Sequence, residues 1–285
     1  MLYGNFLKPT HGFTVSMRKQ NRLITFASLI FVFIHSPPAQ ADKLASIIID
    51  DVGNNLEYGR DVINLPATLT IAILPKTTYA KRLARLAAKN NKEVMLHLPM
   101  QSVEHHQYSP GTLDLHMTRS EFREQLRLNL NSVPYVRGVN NHMGSLLTRH
   151  PGHMTWLMDE LSRRGGLYFI DSKTSSKSIA DKIAIENNVP VLSRDFFLDP
   201  DHNAETLRRQ FDRFIQKVNR RGYALAIAHP YPETIKFLKA NLDELNQHGI
   251  KLIPVSELVR TASQIKDNYQ ENRHVACTST ACSRL

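Results

Sequence analysis

Six short apolar runs in this 285-residue chain are followed within three residues by an Asp, His or Arg, side chains that can move a proton, hold a metal ion or place a charge. Ile47-Ile48-Ile49 leads into Asp50-Asp51-Val52-Gly53, and Val94-Met95-Leu96 leads into His97-Leu98-Pro99. Gly138-Val139 leads into Asn140-Asn141-His142, and Tyr168-Phe169-Ile170 into Asp171-Ser172. Val191-Leu192 leads into Ser193-Arg194-Asp195, and Ala226-Ile227-Ala228 into His229. Taken singly, each has a plain structural role: an aspartate after a strand caps the next helix, and a histidine there takes a hydrogen bond. One cap needs one oxygen, so the adjacent Asp50 and Asp51 exceed that need. Asp51 with His97 and His142 makes a set of two imidazoles and one carboxylate, which suits zinc or a similar divalent ion with a coordination position left open. His105-His106, His116 and the His150/His153 pair read as loop or helix-start residues rather than ligands.

Such residues act together only if the strands carrying them end on one rim. Strand-like apolar runs cover Leu44–Ile49, Leu69–Ile73, Val94–Leu98, Gly138–Asn140, Leu167–Ile170, Val189–Leu192, Ala224–Ala228 and Lys251–Pro254. Helical patterns lie between them. Thr78 to Asn90 carries Leu83, Leu86 and Ala87 on one face, and Thr118-Arg-Ser-Glu121 is a capping box opening a helix through Leu130. Gly152 to Arg164, Ala204 to Arg221 and Pro232 to His248 repeat the amphipathic pattern, the first stopping at Gly165-Gly166 and the last at Gly249. The alternation predicts an α/β fold with a parallel sheet covered on both faces. An open doubly wound sheet and a closed β/α barrel both satisfy it, and in either the C-terminal strand ends share one rim. No G-x-G-x-x-G or G-x-x-x-x-G-K-[ST] follows a strand, which removes the usual support for nucleotide binding. With no repeat or linker inside 42–260, a single domain is expected there.

Hydrophobic residues at 42%, charged residues at 22%, 12 Gly and 14 Pro exclude a disordered chain, a collagen and a simple coiled coil. A net charge of +10 invites a nucleic-acid reading. However, residues 1–41 hold Lys8, Arg18, Lys19 and Arg22 with no acidic residue, and no basic stripe interleaved with aromatics follows, so nucleic acid is not the expected partner. Met17 to Arg22 is a short positive region, Leu23 to Ile34 an apolar run, and Ser36 to Ala41 a small-residue cleavage site. That layout predicts a cleavable secretory signal, with an uncleaved anchor as the alternative, and a mature chain from Asp42 that is exported, periplasmic and without a membrane span. Cys277 and Cys282 lie in a polar tail from about Thr261 that reads as disordered; a local disulfide fits an oxidising compartment, and C-x4-C is a weak metal signal.

The string IDDVG, VMLHLPMQ, GVNNHMGS, FIDSKTS, SRDFFLD and IAHPYPETI, in order from Leu44 to Val259, resembles the divergent polysaccharide deacetylase family (YibQ-type exported proteins) of the NodB-like superfamily. The resemblance implies a distorted (β/α)7-8 barrel, a divalent metal with zinc the first choice, and removal of an N- or O-acetyl group from a cell-wall or other envelope polysaccharide. Carried over by residue, it implies Asp50 as catalytic base, Asp51 as a metal ligand and His229, in Ile227-Ala-His229, as the acid. The superfamily usually takes two histidines from one H-x-x-x-H motif. Here His97 is followed four residues later by Gln101, which makes His142 the candidate for the second. The family's R-x-P-Y motif is not recognisable as such; Arg194-Asp195 is the candidate for a similar orienting role, and Asp171 and Asp195 are candidates to orient His229, Arg194 or a histidine behind the metal.

Two other readings compete. A glycan- or cell-wall-binding protein that has lost catalysis would keep this fold and show a broken H-x-x-x-H. A metal-free glycosidase would use Asp50 and Asp171 as its carboxylate pair and leave His97 and His142 free to point elsewhere. Tyr58, Tyr108, Phe196, Phe197 and Tyr231 lie near the expected rim loops, where sugar stacking and core packing account for them equally.

Overall fold

The computed structural model describes residues 42–104 and 108–262. The expected signal segment, His105-His106 and the Cys277/Cys282 tail lie outside the described residues.

Strand β1 (Lys43–Val52) organises the sheet because it is buried along almost all its length on both faces. One edge pairs with β8 (Tyr223–Ala228) from Leu44 to Ile49. The other edge is shared: Lys43 to Ala45 pair with β9 (Ile250–Leu252), and Ile48 onward with β2 (Thr70–Ile73). Beyond β2 follow β3 (Glu93–Met100), β4 (Val136–Met143), β5 (Tyr168–Asp171) and β6 (Val191–Ser193); beyond β8 lies the two-residue β7 (Phe196–Phe197). All pairings are parallel. The two ends of this nine-stranded sheet meet through the two residues between β6 and β7. Arg194 N–H donates to the Asp171 carbonyl of β5 (3.0 Å), and Asp195 N–H donates to the Leu225 carbonyl of β8 (2.9 Å). The sheet therefore curls into a distorted β/α barrel instead of lying open.

Strand alternation sorts the core into two layers. Leu44 and Ile48 face inward with Ala72, Met95, Ile170, Leu192, Leu225 and Ile227. Ala45, Ile47 and Ile49 face outward under the helices, packed with Val62, Leu83, Phe122, Leu157 and Phe211. Those helices are α1 (Leu56–Ile63), α2 (Ala80–Lys89), α3 (Arg119–Ser132), α4 (Pro151–Arg164), α5 (Ala180–Glu186) and α6 (Ala204–Arg221), with α7 (Pro232–Asn241) and α8 (Asp243–Gln247) closing the ring. The helix expected from Pro232 to His248 is thus two, broken at Leu242, which is buried. Thr118 and Glu121 form the expected capping box.

The barrel is plugged at its lower end. Ile253, Val255, Leu258 and Val259 complete the inner core, and Ser46 Oγ donates to the Ile253 carbonyl at 2.7 Å. Glu93 Oε1 there accepts from Tyr168 OH (2.7 Å), Thr70 Oγ1 (3.2 Å) and Ser256 N–H (3.1 Å). With apolar side chains filling the middle, the polar residues at the C-terminal ends of β1, β3 and β4 and just after β8 gather at the upper mouth.

Candidate metal and catalytic site

Alternation puts Asp50 inward, in step with Leu44, Ser46 and Ile48. The same rule would put Asp51 outward with Ile47 and Ile49. Two local features turn it back. The β1–β2 register slips between Ile49 and Val52, and Asp51 has a left-handed backbone, φ 56°. Gly53 then carries φ 143°, and a Cβ there would lie 2.2 Å from Thr77 Oγ1, so this sharp turn needs glycine. Pairing of β3 with β4 sets His97 beside Asn140 and Pro99 beside His142. Asn140 and His142, two residues apart, share the inner face.

Asp51 Oδ1 lies 3.1 Å from His97 Nε2 and 3.0 Å from His142 Nδ1, and the two ring nitrogens are 3.1 Å apart. The oxygen is buried and has no aligned hydrogen-bond donor despite those approaches. Three possible ligand atoms thus crowd together, and the buried Asp51 Oδ1 takes no aligned hydrogen bond from either ring, which is how ligands converge on an ion. Zinc bound at ~2.0–2.1 Å by tetrahedral ligands spaces them about 3.3 Å apart, close to the triangle seen here. Among the described residues this is the one cluster of at least three such side chains, its donor atoms all within 4.8 Å. Residue chemistry and spacing both fit a divalent ion of the zinc type. Burial works to raise the Asp51 pKa, but the two imidazoles outweigh it and hold the carboxyl well below the usual range. Burial likewise opposes charge on His97, and Asp50 and Asp51 overcome it, raising its pKa.

Asp50 sits behind His97, almost fully buried, with Oδ1 at 3.6 Å from His97 Nδ1. Burial raises its pKa, opposed by His97 and His229 and by the hydrogen bond from Asn140. His229 follows β8, the strand beside β1, where Ala228 pairs with Ile49. Its Nδ1 lies 2.9 Å from Asp199 Oδ1, its backbone N–H donates to Asp199 Oδ2 (2.7 Å), and Thr234 Oγ1 donates to the same oxygen (2.8 Å). Burial would lower the imidazole's pKa; Asp199 first, then Asp50 and Asp51, push it up to about 9. The site thus combines a buried carboxyl and an imidazole that both have raised pKa values and feel each other's charge.

Asp199 is the member that the sequence reading missed. It closes SRDFFLD just beyond β7, and a strand of two residues carries no periodic signal. Asp195, expected to orient His229 or Arg194, does neither by contact. It is bidentate to Arg221 (3.0 and 2.8 Å), lies 3.4 Å from Lys217, and accepts from Leu225 N–H, because its backbone seals the barrel seam and sends the side chain outward. Asp171 accepts from Lys173 N–H (2.8 Å) and Ser178 Oγ (2.6 Å) and pairs with Lys173 Nζ (3.1 Å), so its carboxylate ties down the loop after β5. It reaches Arg194 through charge alone. Arg194 donates to the Ser172 carbonyl (2.7 Å) and the Lys173 carbonyl (3.2 Å), with its guanidinium carbon 3.7 Å from the Phe197 ring centre. From there a row of flat groups climbs to the rim: Phe197 to His229 at 5.8 Å, His229 to Tyr231 at 5.5 Å, and Tyr231 stacked on His202 at 3.7 Å. Gln101, where H-x-x-x-H would put a histidine, is committed elsewhere: its Oε1 accepts from Leu115 N–H at 2.9 Å, and its backbone bonds Leu113, Leu146 and Leu147.

Residues 47–259 match the family described as divergent polysaccharide deacetylase. An uncharacterized protein of Haemophilus influenzae is 36% identical over 225 residues, 79% of this chain and 80% of its own. The uncharacterized protein YibQ of Escherichia coli is 35% identical over 240 residues, 84% of this chain and 73% of its own. Among solved structures, an uncharacterized protein of Agrobacterium tumefaciens superposes with a TM-score of 0.73 at 21% identity, over 77% of this chain and 90% of that one, which shows a shared fold.

Proposed function

The chain belongs to the divergent polysaccharide deacetylase family, and on that premise we propose that it is an exported, periplasmic, metal-dependent hydrolase that removes acetyl groups from an envelope polysaccharide. The observation that carries this reading is the convergence of Asp51, His97 and His142 beside a buried carboxylate, Asp50, and a histidine held protonated, His229. Compartment rests on the positive, apolar and small-residue segments of residues 17–41; no helix among the described residues is long and apolar enough to cross a membrane.

A zinc-type ion held by Asp51, His97 and His142 would supply Lewis acidity to an acyl oxygen and acidity to a water molecule. Asp50 takes the proton of the attacking water, a role that its burial favours by raising its pKa toward the working pH. His229, its Nδ1 engaged by Asp199, presents Nε2 to the leaving sugar nitrogen or oxygen and protonates it. Arg194, fixed by two carbonyls and the Phe197 face, adds positive charge behind Asp50. The stacked Tyr231 and His202 offer the flat face on which a sugar ring lies.

The test is the metal content of the purified chain beside His97→Ala and His142→Ala, with acetate release measured on acetylated glycans. About one zinc per chain, lost in both variants together with acetate release, is expected. A wild-type protein that takes up no metal from excess zinc refutes the hydrolase. Metal binding with no acetate release from any acetylated glycan would instead favour a glycan-binding protein on the same fold.

A further inference from the structure

Opposite His97 on β4 lies a side chain outside the ligand, base and acid set. Asn140 is completely buried. Its Oδ1 is 2.8 Å from His97 Nδ1, its Nδ2 donates to Asp50 Oδ1 at 2.8 Å, and the same Nδ2 lies 3.4 Å from Ser172 Oγ. One amide therefore touches both a metal ligand and the base, across a barrel mouth whose walls are 90 residues apart in sequence.

We propose that Asn140 is a positioning residue that fixes the ring tautomer of His97 and the place of Asp50 at once. The inference rests on the metal-site part of the function proposed above and extends it to a residue with no ligand or proton-transfer role. The polarity of the amide decides its orientation. A carboxylate oxygen only accepts, so the NH2 end must face Asp50 and the carbonyl end must face His97. Nδ1 of His97 is then the N–H, and Nε2 presents its lone pair toward Asp51 and the centre of the triangle. Turning the amide over would set the carbonyl against Asp50 and leave two unpaired groups in a dry site.

Position 140 also has little room to vary. A carboxylate would serve His97 equally well but would face Asp50 with a like charge. A hydroxyl or methyl group would be too short to span both partners. The neighbouring Asn141 clamps the strand end from the other side, accepting from Ser172 N–H (2.9 Å) and donating to the Met143 carbonyl (2.7 Å), so Asn140 is presented by rigid backbone. Because His142 sits two residues further on the same face, β4 delivers a ligand and this amide together.

Zinc titration of the full chain, with long-range 1H–15N spectra of its histidines, tests the idea on the wild type, Asn140→Ala and Asn140→Asp. The zinc-loaded wild type should show His97 with Nδ1 protonated and Nε2 bound. Asn140→Ala should weaken zinc about 10- to 100-fold and release the ring to both tautomers in the metal-free protein. Asn140→Asp, nearly the same shape, should keep the tautomer and bind zinc at least as well, while acetate release falls about 100-fold because Asp50 loses its donor. His97 bound through Nδ1 in the wild type overturns the proposal without any variant, which covers the case of a substitution that does not fold. A folded Asn140→Ala with unchanged zinc affinity and tautomer also overturns it. A wild type that binds no zinc overturns it together with the hydrolase, whereas zinc binding lost in Asn140→Ala without measurable acetate release upholds it and leaves only the hydrolase refuted.

Discussion

Asp199→Asn separates the acid role of His229 from a merely structural one. The substitution keeps the shape of the side chain and an oxygen toward the ring; it gives up the bond from the His229 N–H, a pH-independent loss, and removes the charge that leads the rise of the imidazole pKa to about 9. From the ordinary 6.5 that rise favours the protonated ring by about 3 kcal/mol, and since burial alone would lower the pKa, loss of the Asp199 charge returns the ring toward the ordinary value. At pH about 8 a group of pKa about 9 is some nine-tenths protonated, whereas one near 6.5 is about 3% protonated, so acetate release should fall about 30-fold. At pH about 6 both forms are largely protonated, and the loss should stay below about twofold. A bound ion that balances Asp51 moves wild type and variant down together, so the displacement between their alkaline limbs is the quantity to measure. Acetate release from N-acetylglucosamine oligomers, followed from pH about 5.5 to 9.5, reads it directly. Hydrolysis of 4-nitrophenyl acetate, whose leaving group departs without a proton, serves as the control and should not respond. The stability effect has the same sign: a pKa raised on folding stabilises fully below 6.5 and loses that contribution as pH passes about 9, so the pH-dependent part of the variant's deficit closes at high pH. Equal losses at pH 6 and 8, or an alkaline limb that stays in place, would refute the assignment of His229 as acid.

Asp50→Asn should keep about one zinc per chain and lose about 100- to 10,000-fold in acetate release; full activity in a metal-loaded variant removes Asp50 as base. Gln101→Ala should leave zinc stoichiometry unchanged while protease nicking of the loop before Leu115 increases, since the Gln101 side chain anchors the Leu115 N–H; loss of zinc would make Gln101 a ligand after all. Asp195→Ala should leave kcat within about twofold and lower stability by about 1 kcal/mol, because its partners Arg221 and Lys217 lie outside the mouth; a large loss of kcat at unchanged Tm contradicts that placement. Tyr231→Ala should raise KM for oligosaccharides while turnover of 4-nitrophenyl acetate stays constant, and an unchanged KM argues against sugar stacking on the Tyr231–His202 pair.

Much of the scaffold was legible along the chain because strand and helix periods are local. Ile47 to Ile49, Val94 to Leu96 and Ala226 to Ala228 announce buried parallel strands, and the rule that such strands end on a common rim singled out Asp50, Asp51, His97, His142, Arg194 and His229 before any coordinates. Whether the sheet stayed open or curled was undetermined, since both architectures share that alternation. The seam decides it: Arg194 bonds β5 while Asp195 bonds β8, a closure made by two adjacent residues and visible only once both strands are in place.

Side-chain direction was equally hidden. Strand alternation would send Asp51 outward, and a left-handed backbone in a register slip brings it to His97 and His142. Asp171 and Asp195, by type and position as promising as any, are held by Lys173, Ser178 and Arg221, while Asp199 takes the place beside His229. Residue type and spacing determined which groups could do this chemistry. Which carboxylate meets which histidine was decided by the curl of the barrel and by backbone angles set through pairings 30 to 90 residues away, information that no local period contains.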